Sequence, residues 1–429
     1  MGVAALAATL VILLGGVLRH DRVAIASSAL PAAVVDQLQR GFATGDTAAL
    51  VTGLQSELKA DPGSVKAWGS LGLAYEQRAR ETGDASYYGK AGGALRRALD
   101  LRPGDLVATA ALGQLALSRH RFREALRLGE QAHAISPTTA GVYGVIGDAE
   151  IELGRYGPAF RDFDRMAALK PDVSSYSRVS YARELIGRTD AAVRAMQVAV
   201  SAAVGEREAG AWTRVQLGLL YLSTGRPKLA VIQMRQALQL FPGYAFGLDG
   251  MAQAQVALGH RAVALRYEQE AVDRIPLPQY VGLLGDLYHA GGNQAAAERQ
   301  YALIGDIERL LAANGVRNDL DIALFDVDHG VHLKHALQLA RQGYQFRPSI
   351  FGDDVLAWAL ARNGSCGEAL NYSRLSLRLG TRDAVKYFHR GMIERCLGHD
   401  AEARAWFARA LTLNPHFSVL WAPVARRLT

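Results

Sequence analysis

Apolar residues along this chain gather in short Leu- and Ala-rich stretches that break at regular intervals, first at a glycine and then at a proline. Pro103, Pro137 and Pro171 lie 34 residues apart, as do Pro242 and Pro276, and Pro348 and Pro415 continue the series at about two repeats each. Between the prolines the same order returns. Gly154, Ala159, Met166 and Pro171 mark one unit, Gly225, Ala230, Ala237 and Pro242 another, and Gly259, Ala264, Ala271 and Pro276 the next. Each unit reads as a helical hairpin. The glycine ends the first helix in a left-handed conformation, and the proline ends the second, or starts the next, because it cannot continue the hydrogen-bonded ladder. The pattern predicts about ten pairs, with first helices beginning near residues 65, 106, 140, 173, 211, 245, 278, 317, 350 and 384. A degenerate pair precedes them at about 31–60, ending at Pro62, and His416–Leu428 reads as a closing helix over the last apolar face. The first full repeat carries an insertion of about seven residues within 78–92.

Small residues mark where helices must approach closely. Gly72, Gly113, Gly147, Gly218 and Gly391 fall where the two helices of a pair cross, and a Cβ there would hold them apart. Ala98, Ala132, Ala237 and Ala410 serve the same closeness against the next repeat. "WGSLGLAY", Trp68–Tyr75, follows W-x₂-L-G-x₂-Y residue for residue, and Gln216–Tyr221 carries its second half. With the period, these residues make the chain resemble the tetratricopeptide-repeat superfamily over nearly all its length after an apolar N-terminal run. The resemblance implies an all-α fold, a right-handed superhelical solenoid of about ten helix-turn-helix repeats plus capping helices. It divides the chain into a hydrophobic signal or anchor segment at 1–26, a degenerate helix pair at 27–62, the solenoid at 63–415 and a capping helix at 416–429. "ASYYGKAGGALRRALDLRP" (85–103), "RIPLPQYVGLLGDL" (274–287), "FDVDHG" (325–330) and residues 390–417 are further similar to bacterial membrane-anchored or exported repeat proteins of unestablished activity.

Composition narrows the function only a little. Half of the 429 residues are hydrophobic and 21% are charged, which excludes a disordered chain. The net charge of +7 comes from scattered Arg, not basic blocks, and leaves no nucleic-acid footprint. The run Gly2–Leu18 has no polar face and precedes a small-residue stretch at Ala24–Ala26. It reads as an export signal kept as an anchor, with the body outside the cytoplasm. Arg19 and Arg22 follow the run and no Lys or Arg precedes it, which on the positive-inside rule favours a cytoplasmic body instead.

Motifs with chemistry are few. "GDASYYGKA", Gly83–Ala91, resembles a phosphate loop but has five residues between its glycines, and Ala91 where a magnesium-binding hydroxyl belongs. "GVYGVIG", Gly141–Gly147, is helix packing, and "NGSCG", Asn363–Gly367, sits at a mid-repeat turn instead of a nucleophile elbow. Cys366 and Cys396 lie on one edge of neighbouring repeats, as a possible disulfide or as two half-buried thiols. Asp326, Asp328, His329, His332 and His335 fall within ten residues and are candidates for a divalent metal. They straddle a turn with Gly330 at its bend, so helical spacing does not bring them together, and a structural role is the simpler reading. No cofactor is implied.

The superfamily resemblance also implies a concave groove lined by first helices. Carried over by register, the lining would be Glu76, Asp148, Glu152, Tyr181, Glu184, Trp212, Phe246, Asp249, Asp286, Asp328, Phe351, Asp354, Trp358, Phe388 and Arg395. Acids outnumber bases in this set although the whole chain is positive. The expected function is a non-catalytic protein–protein scaffold at the cell envelope, holding a basic or amphipathic peptide or protein in that groove. The alternatives are a metal-binding protein built on residues 326–335 and a cytoplasmic regulatory repeat protein.

Overall fold

Residues 47–205 and 207–429 are described in a computed structural model of the chain, and they are helical with no strand among them. The expected segment 1–26 and the first part of the expected pair at 27–62 lie outside these residues. Helix α1 is Thr47–Ala60. Ten pairs follow: α2 Val65–Thr82 with α3 Ser86–Leu101, α4 Leu106–Ser118 with α5 Phe122–Ile135, and α6 Ala140–Glu152 with α7 Tyr156–Leu169. Next come α8 Val173–Leu185 with α9 Thr189–Ala202, α10 Arg207–Ser223 with α11 Pro227–Leu240, and α12 Ala245–Ala257 with α13 Arg261–Arg274. The series continues with α14 Pro278–Ala290 and α15 Gln294–Ala313, α16 Asp319–His329 and α17 Leu333–Phe346, α18 Ile350–Arg362 and α19 Cys366–Ser376, and α20 Ala384–Cys396 and α21 Asp400–Leu413. Helix α22, Trp421–Leu428, closes the array.

Local chemistry sets these boundaries. Ser64 and Asp105 accept hydrogen bonds from Ala67 N and Ala108 N and so cap α2 and α4. Asp172 and Ser175 form a reciprocal capping box at the start of α8. Pro227 and Pro278 begin α11 and α14, where no backbone N–H is needed. Helix pairs close on their glycines as the small-residue pattern requires. A Cβ at Gly147 would lie 2.5 Å from Phe163 Cε1, and one at Gly391 would lie 2.5 Å from Phe407 Cε1.

Successive turns of the superhelix touch, which no short-range pattern indicates. The His120 Nδ1 donates to the Arg317 carbonyl at 2.7 Å, and Arg123 Nη2 donates to Gln345 O at 2.8 Å. Arg347 Nε meets Glu152 Oε2 at 2.5 Å, and the Ile350 N–H donates to the Tyr156 hydroxyl at 2.6 Å. Thr381 Oγ1 donates to Leu185 O, and Asn414 Nδ2 donates to Leu222 O at 3.0 Å. These partners stand 192 to 222 residues apart in sequence. With about 34 residues to a repeat, one turn takes roughly six repeats. Gly154 serves both roles at once. Its φ of 73° ends α6, and a Cβ there would run into the Pro348 carbonyl of the next turn at 2.5 Å. At the equivalent turn after α4 a histidine stands in place of glycine. His120 adopts φ 53°, a conformation that costs an L-residue about 1 kcal/mol, and its ring makes the contact to Arg317.

The C-terminal segment does more than cap the last repeat. Residues 416–420 turn inward before α22 begins, so that Val419 packs on Ala252, Leu283 and Leu287 of α12 and α14. Trp421 donates its indole N–H to Asp328 across 93 residues of chain.

Candidate functional site

First helices face inward, and closure of one turn on the next deepens their shared surface into a partly open cavity of about 430 Å³. Its wall draws on α10 (Val215, Gln216, Leu219), α12 (Phe246, Asp249, Gln253), α14 (Tyr280, Leu283, Asp286), α16 (Phe325, Asp328) and α18 (Phe351, Asp354), with Ser418 and Leu420 from the inturned tail. The volume is that of an ordinary ligand pocket. Among the described residues the wall carries nine carboxyl side chains: Glu81, Glu208, Asp249, Asp286, Glu308, Asp321, Asp328, Asp354 and Asp383. Three Lys or Arg side chains, Arg80, Arg274 and Lys386, face them. The rings of Phe241, Tyr244, Phe246 and Tyr280 run along one side with centroids 5.2, 5.2 and 6.2 Å apart.

The residues expected in the groove divide into three groups. Phe246, Asp249, Asp286, Asp328, Phe351 and Asp354 line the cavity. Glu76, Asp148, Glu152, Trp212, Trp358 and Phe388 are buried, and Tyr181 and Glu184 are half-buried, none of them on the cavity wall. Arg395 is exposed. Most of the set is covered, because neighbouring helices bury what an isolated repeat would expose.

Neighbouring repeats, and the C-terminal tail, give several of these acids fixed partners. Asp148 binds Arg178 through Nη2–Oδ2 at 2.7 Å and Nε–Oδ1 at 3.0 Å. Burial lifts the Asp148 carboxyl to about 6, with Arg178 pulling the other way. Asp286 accepts from the Tyr301 hydroxyl at 2.9 Å and from His329 Nε2 at 2.8 Å. Asp354 takes His389 Nδ1 at 3.0 Å, and the His389 ring stacks on Trp358 with centroids 4.7 Å apart. Asp328 accepts from two indoles, Trp358 Nε1 at 2.9 Å and Trp421 Nε1 at 3.1 Å. Other acids have no such partner. Glu76 is 3% exposed, neither of its oxygens has a hydrogen-bond donor, and burial pushes it up to about 8 against the pull of Arg80 and Arg119. Burial, aided by Asp383, lifts Glu184 to about 7.

The five metal candidates are drawn apart. His329 turns to Asp286, Asp328 turns to the two indoles, and His332 Nδ1 stands 3.7 Å from Asp326 Oδ1 with its side chain 74% exposed. His335 is exposed on α17. Gly330, at φ 70°, and His332, at φ 46°, reverse the chain between them. Among the described residues no three His, Cys, Asp or Glu side chains converge as a metal-ligand set. The two cysteines do meet, as a disulfide between Cys366 and Cys396 with Cα atoms 6.0 Å apart. It joins the start of α19 to the end of α20. No described helix is long and apolar enough to cross a membrane.

Sequence reasoning missed the wall contributed by Glu208, Tyr244, Tyr280 and Lys386, and the inturned Ser418 and Leu420. Tyr244 and Lys386 lie at or near first-helix starts, where the inward register could have found them. The tail residues carry no signal of their own.

Residues 213–244 match the family described as "Tetratricopeptide repeat". No curated protein matches the chain. Among solved structures, human IFIT1, determined as a dimer with PPP-AAAA, is 14% identical with a TM-score of 0.47, covering 89% of each chain. PilW, described as a widely conserved type IV pilus biogenesis factor, is 16% identical with a TM-score of 0.39, covering 46% of this chain and 91% of its own. MamA is 20% identical with a TM-score of 0.31, covering 38% of this chain and 94% of its own.

Proposed function

We propose that this chain, with a tetratricopeptide repeat matched at residues 213–244, is a non-catalytic scaffold that holds an extended cationic segment of a protein partner inside its superhelix. The observation that carries this reading is the wall itself, with nine carboxyl groups against three Lys or Arg in a protein of net charge +7. A cavity of about 430 Å³ favours a thin segment over a folded domain, and the aromatic run supplies apolar anchoring beside the charge. The test is fluorescence anisotropy with a basic amphipathic peptide and its acidic counterpart of matched hydrophobicity, over a range of salt. Tighter binding of the basic peptide that weakens with salt supports the reading. Equal binding of the two, or none, overturns it.

The setting we propose is the cell envelope, in an assembly, chaperone or accessory role. Two features support an extracytoplasmic body: the apolar run Gly2–Leu18 and the Cys366–Cys396 disulfide, a bond that oxidising compartments preserve. Protease access in intact cells tests it, since a body shielded until lysis would place the protein in the cytoplasm.

A further inference from the structure

Most acids on the cavity wall are already committed. Glu208 accepts from the Tyr244 hydroxyl at 2.9 Å, Asp286 from Tyr301 and His329, Asp328 from two indoles, Asp354 from His389, and Asp383 from Lys386 at 3.2 Å. Asp249 differs. It is 7% exposed, lines the cavity from α12, and accepts one neutral hydrogen bond, from Gln253 Nε2 at 2.8 Å. Among the described residues no Lys or Arg pairs with it. Behind it on α13, Glu268 is fully buried, and among the described residues neither of its oxygens has a donor outside the pair. A carboxyl pair in such a place is stable only if a positive charge is shared between the two groups, and a proton is the smallest that serves.

We propose that Asp249, backed by Glu268, is a subsite for one guanidinium or ammonium group of the bound segment. The proposal rests on the peptide-binding reading above and specifies where that peptide is read. Phe246 and Tyr280, edge to face with centroids 6.2 Å apart, line the cavity beside it. On the preceding repeat Gln216 also lines the cavity, is 2% exposed, and has an amide nitrogen with no acceptor among the described residues. That donor suits a backbone carbonyl of an extended peptide, an independent sign that the wall is built for a ligand. Among the described residues, the titratable groups around Asp249 are Glu268 from α13, Tyr280 from α14 and, through Tyr244, Glu208 from α10. Burial lifts Asp249 to about 7 and Glu268 well above its ordinary range. An arriving cation therefore replaces the proton of the pair, and binding strengthens as pH rises through about 7.

The experiment uses the full chain and two ten-residue peptides of alternating Leu and Arg, or Leu and citrulline, the neutral isostere of Arg. Calorimetry at pH 6 and 8, in buffers of different ionisation heat, reads affinity and proton release. The expected result is at least tenfold preference for the Arg peptide at pH 8, smaller at pH 6, with proton release on binding. Asp249→Asn should cut the preference to about twofold or less and abolish the release, while binding the citrulline peptide as the parent does. Glu268→Gln should remove the release but keep part of the preference. Thermal melts of both variants check that the fold persists. Preference retained in Asp249→Asn, or equal binding of both peptides by the parent, overturns the subsite. Failure of the parent to bind either peptide overturns the peptide-binding reading itself.

Discussion

Replacing Glu76 with Gln should change how stability depends on pH far more than it changes stability at any one pH. In the folded chain the Glu76 carboxyl sits on α2 without a hydrogen-bond donor and holds its proton to about pH 8, against 4.5 for the free group. The folded state thus binds a proton that the unfolded state has released across that interval, so the fold weakens as pH rises from about 4.5 to about 8 and levels off above. At about 1.4 kcal/mol per pH unit, the parent loses about 3–4 kcal/mol from this group between pH 5 and pH 9. Gln does not titrate, so Glu76→Gln should gain that much relative to the parent over the same range, whatever its offset at pH 5. Repeat arrays unfold in parts, so the local readout is hydrogen exchange of α2 and α3 amides, with urea melts as the global one. Parallel pH profiles for parent and variant would refute the reasoning, since they would mean that water reaches the carboxylate and the burial is not felt.

Other substitutions test closure and packing. Arg347→Ala leaves Glu152 buried without its partner and should cost about 3–5 kcal/mol by denaturant melt, with increased exchange on both α6 and α18 because the pair joins two turns. Reducing the Cys366–Cys396 bond, which closes 30 residues of sequence separation, should cost about 3–4 kcal/mol and act on α19 and α20, while the N-terminal repeats keep their melting behaviour. Gly391→Ala drives a methyl into Phe407 and should cost about 1–3 kcal/mol, whereas Gly367→Ala meets nothing within 4 Å and should stay within about 0.5 kcal/mol of the parent.

What the sequence makes legible is whatever neighbouring residues decide. Starts expected at 65, 106, 140, 173, 245, 278, 350 and 384 coincide with the observed helices, because Ser64, Asp105, Asp172 and Pro278 act within one turn of the chain. The two that drift show the limit. Helix α10 begins at Arg207 instead of 211, and α16 at Asp319 instead of 317. The connections before them, 203–206 and 314–318, hold no proline to fix the start. The inward face of the first helices was also legible, since Phe246, Asp249, Asp286, Asp328, Phe351 and Asp354 do line the interior. Burial of that face was not. It depends on a small rotation between repeats that accumulates over a whole turn, and the residues that complete it, such as Glu152 with Arg347 or Leu185 with Thr381, lie nearly two hundred positions apart.

Closure also changes what an acidic surface can do. On an open groove, carboxylates face water, are screened by salt, and contribute little each. Inside a wall of Phe and Tyr rings the same groups either find a partner, as Asp286 and Asp354 do, or keep a proton, as Asp249 backed by Glu268 does. The interior therefore holds fewer negative charges at neutral pH than its nine carboxyl groups suggest. Each unfilled one responds more strongly to an arriving cation, because the surrounding dielectric is low. On the proposed reading, selectivity then comes from a single well-placed carboxyl pair instead of the summed field of the groove. The inturned tail lines the same cavity through Ser418 and Leu420.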